Sequence, residues 1–151
     1  MKAKPVEQTA QSLLEKLGGV STPLDLPGAQ IEEDYLALER WVCGCKPKTE
    51  REAALIGAKT SIYFCFVFAD RDSENLAGFT RHLEEARRCL QEYLGLVPCE
   101  YAARERARWT EHWVSLYNNP GLSKKEQQAI IRVARRKYPD FDTNVLKNAG
   151  S

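Results

Sequence analysis

Residues 62–69 have the sequence Ile-Tyr-Phe-Cys-Phe-Val-Phe-Ala, an uninterrupted run of eight apolar side chains that decides the fold class. The run is rich in strand-forming residues and, taken alone, is compatible with a buried strand. A strand needs a hydrogen-bonded partner, however, and no second segment of the chain has a convincing strand pattern. A helix that is apolar all round is typical of the surrounded member of a bundle. The run therefore predicts the last part of a central apolar helix that begins near Thr49.

The segments around this run show helical periodicity. The clearest apolar stripe lies in residues 76–94, with one face of a helix lined by leucine, phenylalanine and alanine. Further stripes occupy residues 6–17, 31–42, 98–116 and 123–138. The sequence thus predicts an all-α fold, a single compact bundle of five to six helices over residues 1–151. Prolines and glycines predict a flexible connector at residues 18–30, and residues 139–151 are expected to form a C-terminal tail with one last turn.

Size, charge and composition limit the class of protein. The chain has 151 residues and a formal net charge of +1, and its charge is mildly asymmetric. Residues 119–151 hold seven Lys or Arg against three Asp or Glu, whereas residues 1–118 hold fifteen against eighteen.

The N-terminus lacks the continuous apolar region of a secretion signal, and the longest apolar run, residues 62–69, is far shorter than a membrane span. We expect a cytoplasmic protein with five free thiols and no membrane partner.

The common catalytic and metal-binding patterns are missing from the sequence. Cys43 and Cys45 are one residue apart, whereas zinc sites place their cysteines at wider spacing. Neither His82 nor His112 has the glutamate three residues earlier that a di-iron bundle requires. The chain contains no Gly-x-Ser-x-Gly elbow and no Gly-Lys-Ser/Thr phosphate loop. We therefore expect no metal, no cofactor and no enzymatic activity.

The last third of the chain gathers basic residues on one face of a predicted helix. Ser123 followed by Glu126 is a capping box that starts this helix, and Pro139 ends it. At about 100° per residue, five basic residues fall within an arc of about 120°. They form the candidate binding face: Lys124, Lys125, Arg132, Arg135 and Arg136. Apolar residues are expected on the other side: Ile130, Ile131, Val133, Ala134 and Tyr138. Such a face is either a solvated surface or an electrostatic docking surface for nucleic acid or an acidic protein.

Secondary candidates lie on two other predicted helices. Three arginines of the fifth helix are expected to point mostly outward: Arg104, Arg106 and Arg108. The apolar face of the same helix is predicted to enter the core: Ala102, Trp109, Trp113 and Leu116. Trp41 precedes the Cys43-Gly44-Cys45 turn and, if exposed, would suit a protein contact, a role in which tryptophan is enriched.

Two binding hypotheses and one catalytic hypothesis follow. The first is a stoichiometric regulator, inhibitor or assembly factor that contacts a protein partner, which requires an exposed apolar patch. Accessory proteins of phages and mobile elements are one setting in which such helical chains occur. The second is nucleic-acid binding through the helix of residues 123–138, which requires its basic face to merge with that of residues 104–108 into one patch. The third is an enzyme with an unrecognised site, which requires a deep polar pocket holding a buried charge.

Overall fold

The computed structural model describes residues 5–69 and 76–148. These residues form seven α-helices and one short 3₁₀ turn at Pro23–Asp25, and they contain no strand. The helices are α1 (Val6–Leu17), α2 (Gly28–Gly44), α3 (Glu50–Ala69), α4 (Leu76–Tyr93), α5 (Tyr101–Tyr117), α6 (Lys124–Lys137) and α7 (Asn144–Asn148). The run at 62–69 is part of α3. The helical interpretation and the all-α fold class are therefore confirmed, and α7 is the last turn that the sequence predicts in the tail.

Helices α1 to α4 form a closed ring around one core. Both α1 and α3 pack against α2 and α4. Each helix contributes a fully buried leucine to this core: Leu13, Leu38, Leu55 and Leu90. The chain divides by its internal contacts into two compact units, an N-terminal unit of residues 1–102 and a C-terminal unit of residues 103–151. The sequence analysis predicts one domain over the same length.

Helix α3 is not enclosed on every side, in contrast to the surrounded position that its apolarity predicts. Its buried residues are mostly small: Ala54, Gly57, Ala58 and Ser61, with Leu55, Ile62 and Cys65. On the other side Ile56, Tyr63 and Phe64 are 36%, 50% and 37% exposed. Because the small side chains allow close approach of α4, packing selects that face for the interior. Because α3 is apolar on all sides, its apolarity does not specify which side faces the core. Packing of the small side chains decides this, and the larger side chains are left at the surface.

Gly57 marks the closest approach in this packing. A Cβ atom placed on Gly57 would meet the Tyr101 ring and would lie 2.9 Å from the Cys89 Sγ atom. Both Cys89 and Tyr101 are buried. The site therefore has no room for a side chain at position 57.

The connector between α1 and α2 is shorter than residues 18–30. Helix α2 begins at Gly28, directly after Pro27, and the 3₁₀ turn occupies part of the remaining stretch. The Arg87 guanidinium of α4 donates hydrogen bonds to the backbone carbonyls of Leu17 and Val20. These bonds satisfy carbonyl groups at the end of α1 and hold the start of the connector on the N-terminal unit.

The C-terminal unit has its own small core. Buried residues from three helices and from the predicted tail form it: Trp113, Ala134, Phe141 and Leu146. The Trp113 ring contacts Phe141 edge-on at 5.4 Å and Tyr138 edge-on at 5.9 Å, measured between ring centroids. Phe141 and Leu146 therefore anchor the described part of the tail to this core. This anchoring is a tertiary contact, so it could not be predicted from the sequence.

Candidate nucleic-acid interface

The helix that carries the basic residues, α6, has well-formed ends. The Ser123 Oγ atom accepts a hydrogen bond from the Glu126 backbone N–H at 3.1 Å, and the Glu126 carboxylate accepts one from the Ser123 N–H at 3.3 Å. This arrangement is the capping box that the sequence predicts. At the other end the Tyr138 N–H donates to the Ala134 carbonyl at 2.8 Å. Both ends are thus fixed by hydrogen bonds, and α6 is a defined platform for its surface side chains.

One side of α6 packs into the C-terminal core. Ala134 is fully buried, and Ile130, Ile131 and Tyr138 are half-buried against the core around Trp113. Val133, which the sequence analysis assigns to the same apolar side, is 50% exposed. Val133 lies about 100° from Ala134 around the helix, so it falls at the edge of the packed side.

The opposite side presents the five basic residues together. All five are exposed: Lys124, Lys125, Arg132, Arg135 and Arg136. Within residues 5–69 and 76–148, none of the five forms an ion pair or a side-chain hydrogen bond. From Lys124 to Arg136 they extend over about 18 Å of helix, at 1.5 Å per residue. We refer to these five residues as the basic face.

The helix dipole explains only one end of the basic face. Arg135 and Arg136 lie in the last turn, where positive charge is stabilised by the partial negative charge of the helix C-terminus. Lys124 and Lys125 lie in the first turn, where each faces the positive end of the dipole and costs a few tenths of a kcal/mol. The helix dipole therefore does not account for the lysines in the first turn.

Each of the three secondary arginines has a contact partner within the described residues. Arg106 is half-buried, pairs with the Asp140 carboxylate at 3.1 Å, and lies 4.8 Å from the centroid of the Tyr138 ring. Arg104 is also half-buried, whereas Arg108 is exposed, and both take part in contacts of their own. The Arg106 side chain is 41% exposed and joins α5 to the segment after α6 through Asp140.

The tryptophans of α5 separate into one core residue and one surface residue. Trp113 is 2% exposed and Trp109 is 37% exposed, with the Lys137 Nζ atom 4.9 Å from the Trp109 ring centroid. Leu116, on the predicted apolar face, is 40% exposed. The packed side centres instead on Trp113 and Tyr117, a rotation of about 60° around α5. Arg106 and Thr110 lie on the packed side of α5. A helical wheel that marks only the apolar residues leaves them out, and this explains the difference from the predicted side.

Trp41 is half-buried rather than openly exposed. It packs against the core of the N-terminal unit and lines a groove between α1 and α2. Asp34 lies in the same groove, 6% exposed, where it accepts hydrogen bonds from Ser12 at 2.7 Å and Lys16 at 2.8 Å. The buried carboxylate is thus engaged in joining α1 to α2. No group of three or more His, Cys, Asp or Glu suited to a metal occurs in the part of the chain that the structure describes.

Helix α3 carries an exposed apolar surface that the sequence pattern did not predict. Ile56, Tyr63 and Phe64 are exposed, and we refer to them as the α3 apolar face. The Phe64 ring stacks on the His82 ring of α4, with 4.8 Å between the ring centroids, so one face of Phe64 is packed against α4. A signal was present: the small residues Ala54, Gly57, Ala58 and Ser61 recur at helical spacing and mark the packed side, so the larger side chains must face outward.

Helix α3 also has the length and composition of a membrane span, the only helix among the described residues that does. Over its most apolar 18-residue window the mean hydropathy is 1.4, and 39% of that window is buried. A core helix of a soluble protein passes the same test, so length and composition alone are weak evidence. The uninterrupted apolar run of residues 62–69 is shorter than a membrane span, whereas the average over the whole of α3 is not limited to that run.

Comparisons with family models, with curated proteins and with solved structures give no match to this chain.

Proposed function

We propose that this protein binds nucleic acid through the basic face of α6. The observation that carries the proposal is the basic face itself: five exposed cationic side chains on one side of a capped helix, without carboxylate partners in the described residues. Cations in the first turn oppose the helix dipole, which favours a role outside the fold. The proposal rests on these five residues of α6 alone, because Arg106 is paired with Asp140.

Charge and length fit a phosphate backbone. Residues 103–151 hold ten Lys or Arg against five Asp or Glu, so the unit that carries α6 is positively charged. Phosphates follow one another at about 3.4 Å per strand along the axis of duplex DNA, so about 18 Å corresponds to roughly five phosphates. The basic face has no aromatic side chain for stacking on unpaired bases. This arrangement favours sequence-independent contacts to the backbone of a duplex.

Fluorescence anisotropy at low salt tests the proposal. A labelled duplex is titrated with the wild-type protein, with Arg132→Ala/Arg135→Ala/Arg136→Ala, and with a matched control, Arg40→Ala/Lys46→Ala/Lys48→Ala. The control removes the same number of exposed cations from the N-terminal unit. We expect binding by the wild type and the control, and a large loss of affinity for the α6 variant.

Two results would contradict the proposal. Absence of binding to duplex and to single-stranded DNA and RNA at low salt would remove nucleic acid as the ligand. Equal loss of affinity in the α6 variant and in the control would assign the binding to overall charge rather than to the basic face. Circular dichroism of each variant establishes that the helices remain folded.

A second candidate function rests on the α3 apolar face. Tyr63 and Phe64 are large apolar side chains held at the surface, as a protein contact requires. In this case the protein acts as a stoichiometric regulator, inhibitor or assembly factor. A photo-crosslinker placed at position 63 should then capture one protein at one-to-one stoichiometry, and Phe64→Ser should abolish the capture. The same crosslinker at position 48 is the control, since Lys48 is exposed but lies outside α3.

A further inference from the structure

Two cysteines stand together at the end of α2. Cys43 and Cys45 are both exposed and unpaired, and Gly44 alone separates them. The other three cysteines are less accessible: Cys65 and Cys89 are buried, and Cys99 is half-buried. Burial also raises the pKa of the Cys65 thiol to about 12, so that thiol stays protonated at neutral pH. A dissolved reagent therefore reaches Cys43 and Cys45 first.

The spacing of the pair fits a disulfide within the chain. Cα atoms two residues apart are separated by at most about 7 Å, even in an extended chain. Disulfides join cysteines with Cα atoms about 4.4 to 6.8 Å apart. The same spacing is too short for the zinc patterns considered above, and no third ligand accompanies the pair among the described residues. The geometry thus favours a bond between the sulfurs over a shared metal.

The end of α2 can admit that bond. Residues two apart inside a helix point away from each other, which would keep the sulfurs apart. Cys45 has already left the helix, with φ −128° and ψ 130°. Its N–H donates to the Trp41 carbonyl at 2.9 Å. Apart from its chain neighbours and the backbone of its own helix, no heavy atom lies within 4 Å of the position that a Gly44 Cβ would take. The space beside Gly44 is therefore open, so no packed side chain at that position has to move when the two sulfurs approach.

We propose that Cys43 and Cys45 are a dithiol–disulfide pair that exchanges with small-molecule disulfides. In the first step one thiolate of the pair attacks a sulfur of oxidised glutathione, breaking its S–S bond and releasing one glutathione thiolate. The second thiolate then attacks the mixed disulfide, which forms the Cys43–Cys45 bond and releases the second glutathione. Two electrons pass from the protein to the glutathione disulfide, and the two thiol protons end on the two glutathione molecules. Arg40, Lys46 and Lys48 are exposed nearby and attract this anionic reagent.

Mass spectrometry after thiol exchange tests the pair. The full chain is incubated with oxidised glutathione, quenched with acid, alkylated with a maleimide and mapped by peptide. Wild type and the matched control Cys99→Ser should both form the Cys43–Cys45 bridge and carry little glutathione on either cysteine. Cys43→Ser and Cys45→Ser cannot close the bridge, so each should hold glutathione on its remaining cysteine at about tenfold higher occupancy than the wild type.

Three results would overturn the proposal. They are a stable glutathione adduct on Cys43 or Cys45 of the wild-type protein, disulfide-linked dimers through either residue, and full alkylation of both thiols after the incubation. Because both positions are exposed, the serine variants are expected to fold as the wild type does. The test is independent of nucleic-acid binding.

Discussion

Replacing Gly57 with alanine tests the close packing of α3. The added Cβ would meet the buried Tyr101 ring and lie 2.9 Å from the Cys89 Sγ atom. Overpacking of this kind costs about 1 to 3 kcal/mol. Alanine regains up to about 1 kcal/mol over glycine in a helix interior. Because the added atom would clash with two buried groups, we place the cost at the upper end of the overpacking range, about 2 to 3 kcal/mol. We therefore expect Gly57→Ala to lower the free energy of unfolding by about 1 to 2 kcal/mol.

Urea denaturation followed by circular dichroism measures this change. Gly44→Ala is the matched control, because Gly44 is also helical and a Cβ there would meet no atom within 4 Å outside its chain neighbours and the backbone of its own helix. The control should be as stable as the wild type or slightly more stable. In a double-mutant cycle, Gly57→Ala and Tyr101→Ala should couple by at least about 0.5 kcal/mol. If Gly57→Ala is as stable as the wild type, the close contact with Tyr101 is refuted.

Three further predictions concern stability. Arg87→Met should cost about 1 to 3 kcal/mol in urea denaturation, because the Val20 carbonyl loses its charged donor, whereas the Leu17 carbonyl keeps the Val20 N–H at 3.1 Å. Arg81→Met, at an exposed position of the same helix, should be nearly neutral, and equal losses would argue against this role. Burial raises the pKa of Tyr35 from 10.0 to about 12. The contribution of Tyr35 to the free energy of unfolding is therefore complete below about pH 10. It is lost as the pH rises toward 12, because the tyrosine of the unfolded chain releases its proton at a lower pH than that of the folded chain. Tyr35→Phe should flatten this alkaline decline in unfolding free energy, and an unchanged pH profile would refute the assignment. Trp113→Ala should cost about 3 to 5 kcal/mol and Trp109→Ala clearly less, as their burial differs; similar losses in thermal melts would contradict the packing described for α5.

The sequence predicts the helices well because the apolar stripes and end signals are local. Ser123 and Glu126 form the expected capping box, and residues 62–69 are helical, with no strand among the described residues that could pair with them. The orientation of each helix is less predictable. Small residues select the packed side of α3, although its apolar side chains lie on all sides.

Tertiary contacts decide the details of the candidate site. Arg106 looks like a surface residue in the sequence, and its pairing with Asp140 depends on how the chain returns after α6. Trp109 and Trp113 have equivalent positions on a helical wheel, and the actual packing rotates α5 so that only Trp113 is buried. The basic face, in contrast, is set by spacing within one helix, so all five of its residues are exposed as the pattern indicates.

The salt dependence of duplex binding tests the role of the basic face most directly. If all five residues contact phosphates, log affinity should fall against log salt with a slope of about −4.5, which is roughly a 500-fold loss between about 50 and 200 mM salt. Arg132→Ala/Arg135→Ala/Arg136→Ala should reduce the slope to about −1.8, and Arg40→Ala/Lys46→Ala/Lys48→Ala should leave it unchanged. A wild-type slope near zero, or a slope that the α6 substitutions do not alter, would contradict nucleic-acid binding through this face.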